Sequence, residues 1–176
     1  MKKILFGILI FCTIYSPSYS QKLRESNKRP EIVQISDSES ELFSDAEYFF
    51  NEGNYLRALP IYLQLSEKYP QEGYFKYKAG ICYLNKSDEK EKSIPFLLSA
   101  DSINNKLENI TFYIGRAYHL NYKFEEALVY FSKFFSETTE GDNKVAASRY
   151  IEYCNNAKKL IDEEIDVVID NIGAVI

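Results

Sequence analysis

The sequence predicts an all-α protein, a right-handed helical solenoid of three helix–turn–helix units closed by a C-terminal capping helix. Three observations predict it. Lys78-Ala79-Gly80-Ile81-Cys82-Tyr83-Leu84 is echoed by Tyr113-Ile114-Gly115-Arg116-Ala117-Tyr118-His119, with Gly80 and Gly115 35 residues apart and each three positions before a tyrosine. A fainter copy sets Ala46 three before Phe49 and 34 before Gly80. Ala58, Ser93 and Ala127 follow at 12, 13 and 12 residues, and Tyr62, Leu97 and Phe131 follow each of those at 4. Self-similarity at such a period marks stacked helical hairpins that share one continuous core.

The repeated positions have a physical division of labour. Helices that cross closely need little side chain at the contact, which Ala46, Gly80 and Gly115 supply on the first helix of each unit. Ala58, Ser93 and Ala127 do so on the second. Phe49, Tyr83 and Tyr118, then Tyr62, Leu97 and Phe131, fill the space between units. Gly53 suits a left-handed turn between the first two helices; in the third unit Tyr122 takes that place less comfortably. Pro60 and Pro95 fall two residues after the small residue of the second helix, which reads as a first turn, where a missing amide donor costs little.

In chain order, Met1 to Ser20 has Lys2 and Lys3, an apolar run from Ile4 to Ile14, and small residues in Ser18-Tyr19-Ser20. This reads as a secretory signal peptide over residues 1–20, with an apolar run too short to span a bilayer. Cys12 raises a lipoprotein alternative, but Phe11 stands where a small residue is needed. Removing that segment takes away two lysines and no acids, so the formal charge goes from −5 to −7. A negative surface argues against nucleic acid and anionic membrane as partners. Residues 21–39 read as a flexible polar linker containing Pro30. The run Ser36 to Glu41 admits a phosphoacceptor or calcium reading; the plainer one is linker ending in a capping box of Ser38 with Glu41.

Helices are expected at about 40–52, 55–69, 73–85, 91–103, 108–121 and 124–137, so the repeats span 40–140. The Asn85–Lys92 connection is highly charged and reads as a surface loop with a one-residue insertion. A capping helix over 141–163 carries Val145, Ala146, Tyr150, Ile151, Cys154, Ala157 and Leu160 at helical spacing, opposite Lys144, Ser148, Arg149, Glu152, Asn155, Lys158 and Lys159. Residues 164–176 are β-branched and read as an extended tail, the start of a following β domain. Cys82 and Cys154 sit among apolar neighbours and read as buried free thiols over a disulfide.

The small–aromatic order of these units resembles the tetratricopeptide repeat, most fully from Tyr113 to Phe134, where Gly115, Tyr118, Phe124, Ala127, Phe131 and Phe134 are all in register. The closing proline appears only as Pro70; Asn105 and Thr139 stand in its other places. Three such repeats, Glu152-Tyr153-Cys154-Asn155-Asn156-Ala157-Lys158 and a Val/Ile-rich stretch with Asn171-Ile172-Gly173 further resemble Bacteroidetes envelope proteins. Those join such repeats to a WD-repeat-like β-propeller and an OmpA-like peptidoglycan-binding domain, and some serve type IX secretion and gliding.

No chemistry accompanies the repeats: His119 is the only histidine, and there is no phosphate loop or metal-ligand spacing. The expectation is no enzyme, no cofactor and no metal. The resemblance implies a peptide groove lined by the first helix of each unit. Its positions here are Phe43, Glu47, Phe50 and Asn51, then Tyr74, Tyr77, Ile81 and Asn85, then Phe112, Arg116 and His119. The alternative fate of these aromatics is packing between helices. Glu47 and Ile81 stand where the carboxylate-clamp variety wants asparagine, so binding of chaperone tails is not expected. The expected role is a protein-interaction scaffold, exported to the periplasm and associated with the outer membrane. The competing role is a passive spacer that positions a downstream β-propeller or OmpA-like domain.

Overall fold

The computed structural model describes residues 35–139 and 141–162. Residues 1–34, and with them the expected signal peptide and most of the linker, lie outside it, as does the 164–176 tail. The described chain is helical: α1 (Asp37–Asn51), α2 (Tyr55–Lys68), α3 (Gly73–Leu84), α4 (Ser93–Ile103), α5 (Ile110–Leu120), α6 (Phe124–Glu137) and α7 (Asp142–Asp162), with a 3-10 turn at Lys90–Lys92. Each helix packs on the next, so three hairpins and an end helix form a solenoid with no strand among the described residues.

α1 begins earlier than expected. The capping box is Ser36 with Glu39, not Ser38 with Glu41. The Ser36 hydroxyl donates to Glu39 Oε2 at 2.6 Å and the Ser36 amide to the same oxygen at 3.2 Å. Asp37 to Glu39, read as linker, are therefore helical. Tertiary partners decide between the two boxes. Glu39 also accepts from Tyr69 Oη at 2.5 Å and pairs with Lys68 at the end of α2, whereas Glu41 faces solvent. These partners, Lys68 first, hold the Glu39 carboxyl down at about 2.

The repeat positions meet as their spacing implied. A Cβ at Gly80 would lie 2.6 Å from Leu97 Cγ on α4, and one at Gly115 would lie 2.8 Å from Phe131 Cδ1 on α6. Ala46, Ala58, Tyr62, Ser93, Leu97, Ala127 and Phe131 are fully buried. Tyr83 is buried against Phe96, and Tyr118, half-buried, stacks on Tyr130 with ring centroids 5.5 Å apart. Phe49 is half-buried beneath the Arg57 guanidinium. α3 sits in the middle of the array, and eleven of its residues are buried.

The turns follow the chain chemistry. Gly53 has φ +71°; its amide bonds Phe50 O and the Asn54 amide bonds Phe49 O, a left-handed helix stop. Tyr122 repeats that geometry, its amide bonding His119 O and the Lys123 amide bonding Tyr118 O, with φ +58° and 82% of its surface exposed. A side chain in this conformation costs about 1–2 kcal/mol. Tyr122→Gly is expected to raise stability by about 1 kcal/mol, read as a higher midpoint in urea denaturation. An unchanged or lower midpoint would show that the ring contributes more than its backbone costs.

Pro95, third residue of α4, lies in the first turn as expected, but Pro60 is the sixth residue of α2. That position leaves the Leu56 carbonyl without its helical donor. Both residues are exposed, so water supplies the lost partner. The second connection is a charged loop in which Lys86 and Lys92 both pair with Glu89, itself at φ +61°.

α7 covers the last unit with a stripe rotated from the expected one. Ala147 and Cys154 are fully buried and Tyr150 stacks on Phe131, centroids 4.8 Å apart and planes 9° from parallel. Val145 and Leu160, expected on the packed face, are exposed. The stacking of Tyr150 and the small size of Ala147 fix the helix phase. Cys82 and Cys154 are buried free thiols, and burial pushes them up to about 12 and about 11.

Candidate peptide-binding face

The expected groove is only partly open. Phe43, Tyr74, Tyr77, Ile81 and Phe112 are buried in the core, which corrects the expectation that they face a ligand. Phe43 sits edge-on to Tyr74 and Phe75; Phe112 is walled in by Phe131, Phe134 and Tyr150. Tyr77 donates its hydroxyl to Glu108 O at 2.7 Å and so anchors the start of α5. The packing alternative wins because the first helices cross closely at Gly80 and Gly115, drawing the flanking rings inside.

Glu47 is not free for a ligand either. It accepts from Tyr62 Oη at 2.5 Å and from Tyr74 Oη at 3.0 and 3.1 Å, and pairs with Lys78 Nζ at 3.4 Å. Lys78 Nζ also lies 3.8 Å above the Phe50 ring. One carboxylate thereby joins α1, α2 and α3, and burial together with it pushes both tyrosine hydroxyls far up. Burial lowers Lys78, with Glu47 opposing the shift. Sequence reasoning gave Lys78 no role. The available signal was a cation inside the apolar stretch Tyr77 to Leu84, which requires a partner when buried. Asn85 spends its amide on Ile81 O at 2.9 Å, closing the end of α3, and Asn121 does the same for α5 on Ala117 O at 2.7 Å. Asn51 is exposed at the end of α1.

Arg116 and His119 remain, half-buried one turn apart on α5. Arg116 Nε and His119 Nδ1 are buried without a hydrogen-bond partner among the described residues. The His119 ring lies edge-on between Phe124 (5.6 Å) and Tyr150 (5.1 Å). Phe124 also lines a cleft of about 400 Å³, together with Tyr122, Lys123, Glu125, Glu126, Lys158 and Ile161. The site is a guanidinium one turn from an imidazole that two aromatic rings flank, able to offer unpaired nitrogens to an anion. It holds no nucleophile–base pair. Among the described residues no acid, histidine or cysteine cluster could hold a metal, and no helix is long and apolar enough to cross a membrane.

Burial, then Arg116, holds the His119 ring below its usual range. Between its ordinary value near 6.5 and this lowered one, the unfolded chain binds the proton and the folded chain does not. Stability is therefore expected to fall as pH drops through about 6.5, and His119→Gln should remove that slope. Denaturation midpoints at several pH values test it; a slope persisting in the variant would assign it elsewhere.

No family model matches the sequence, and no curated protein resembles it closely enough to count as a relative. Two solved structures share the fold. The Sgt2 TPR domain of Aspergillus fumigatus aligns with TM-score 0.59 at 15% identity over 80% of this chain and 93% of that one. The type III secretion translocator chaperone SycD of Yersinia enterocolitica aligns with TM-score 0.59 at 16% identity over 74% and 90%. The fold is a tetratricopeptide-like helical solenoid.

Proposed function

We propose that this chain is a non-enzymatic protein-interaction scaffold that takes an acidic segment of a partner protein against α5. The reading adds that it acts on the periplasmic side of a bacterial outer membrane, in a secretion, gliding or peptidoglycan-linked assembly. The observation that carries the interaction is the pair of buried nitrogens, Arg116 Nε and His119 Nδ1, that have no hydrogen-bond partner among the described residues, with the His119 ring held between Phe124 and Tyr150. A partner carboxylate satisfies the guanidinium, and a neighbouring apolar side chain fills the cleft beside Phe124. The fold supports the role, since one structural neighbour is itself a chaperone. The envelope location rests on the leader-like Met1–Ser20 segment and the resemblance to Bacteroidetes envelope proteins.

A second role, passive spacer for a downstream β-propeller or OmpA-like domain, is favoured by the burial of five expected groove residues. Affinity purification from envelope extract of the organism of origin separates the two. The parent chain is expected to retain a partner that Arg116→Glu loses, while the variant melts as the parent does. Losing a charged hydrogen bond and adding a like charge should weaken binding at least about tenfold. Retention of nothing, or equal retention by both chains, would leave the spacer role.

A further inference from the structure

We propose that the outer face of α7 is a self-association surface, on which a second copy of this chain lays its own α7 antiparallel. α7 has 21 residues, about 31 Å at 1.5 Å per residue. Its inner stripe, Ala147, Tyr150 and Cys154, packs into the array. The opposite stripe is Val145, Tyr153 and Leu160, spaced 8 and 7 residues, and these are 54%, 53% and 59% exposed. A helix inside the array is covered on both flanks, as α3 is by α2 and α4; among the described elements α7 packs mainly on α6, with a smaller contact to α5. Apolar side chains about a heptad apart on a face that no described element covers supply one of the two apolar positions per heptad of a helix–helix seam.

The charges choose the occupant. Arg149 lies between Val145 and Tyr153 on this face and Glu152 at its edge; both are exposed, and neither has an ion-pair partner among the described residues. In an antiparallel pair with its two-fold axis between Glu152 and Tyr153, Val145 of one copy meets Leu160 of the other, and the two Tyr153 rings meet at the axis. Arg149 then lies four residues along from Glu152 of the second copy, about 6 Å and within reach of a guanidinium. Symmetry makes that pairing twice. α7 also carries little net charge to repel a second copy. It carries Lys144, Arg149, Lys158 and Lys159 against Asp142, Glu152 and Asp162, in a chain of formal charge −5. α1, by contrast, holds five acids and no base. One helix pair is a small interface, so the dimer is expected to be transient.

Sedimentation velocity of the full chain, from low micromolar to hundreds of micromolar, tests this. A concentration-dependent dimer is expected, abolished by Leu160→Glu. Arg149→Glu and Glu152→Arg should each weaken it at least about tenfold, and the double reversal should restore it, because it recreates both pairs with opposite polarity. Thermal melting serves as the folding control and should not move, all three positions being exposed. A monomer at every concentration would overturn the proposal. So would a double reversal no better than either single variant. Loss of stability in Leu160→Glu would show the stripe covered by its own chain, which also overturns it.

Discussion

Gly115→Leu is expected to destabilise the protein at or beyond the top of the ~1–3 kcal/mol range of overpacked cores. A Cβ at this position would already lie 2.8 Å from both Phe131 Cδ1 and Cε1. Phe131 cannot retreat, because Tyr150 stacks on its face and Phe112 stands 5.7 Å away. Further carbons would force α5 and α6 apart, at the crossing that also seats α7. Gly115→Ala should cost less, since it adds that one carbon and no more, although at 2.8 Å the crossing must still shift to admit it. Gly53→Leu is the contrast: nothing lies within 4 Å of a Cβ there, and only its φ of +71° resists. Urea denaturation of the three variants tests the order. A Gly115→Leu protein with the parent's midpoint would show that this crossing is not close in solution.

Glu47→Ala is expected to cost about 2–4 kcal/mol, because it leaves Lys78 and two tyrosine hydroxyls without their acceptor. The Lys78 side chain is only 11% exposed, whereas Glu47 is 24% exposed, which keeps the figure below that of a fully enclosed ion pair. Replacing both partners by apolar groups of similar shape, Glu47→Leu with Lys78→Met, should recover much of the loss. A double-mutant cycle is therefore expected to give a coupling energy above about 1 kcal/mol. Additive effects would mean that Glu47 and Lys78 act separately, leaving the Tyr74 hydroxyl as the polar tie between α1 and α3.

Local patterns carried the repeat far. The spacing of Gly80 to Leu97 and of Gly115 to Phe131 was readable because every hairpin folds its second helix back on its first in the same way, so the crossing recurs at a fixed interval. The strained Tyr122 was readable for the same reason, standing in the third unit where Gly53 stands in the first. The groove was less readable. Phe43, Tyr74, Tyr77, Ile81 and Phe112 lie on the expected helices but inside the core, because one-dimensional spacing gives a residue's helix face and not the depth of its neighbours. Polar partners were the least readable. Ser36-Glu39 and Ser38-Glu41 are equivalent boxes as strings, and only Tyr69 and Lys68, some thirty residues on, separate them.

The sequence by itself determined the all-helical array, its three-unit phase and the small residues at its crossings. Those features follow from which side chains recur at which interval, and backbone hydrogen bonding inside each helix needs no distant partner. Tertiary structure alone decided the rest: which aromatics are core, where α7 turns its packed stripe, and why Glu47 and Lys78 tolerate burial. It also left Arg116 Nε and His119 Nδ1 buried with no hydrogen-bond partner among the described residues. The physical reason is that packing depth and polar satisfaction belong to residue pairs brought together from different helices. Their geometry exists only once the crossing at each glycine has set how near the helices come.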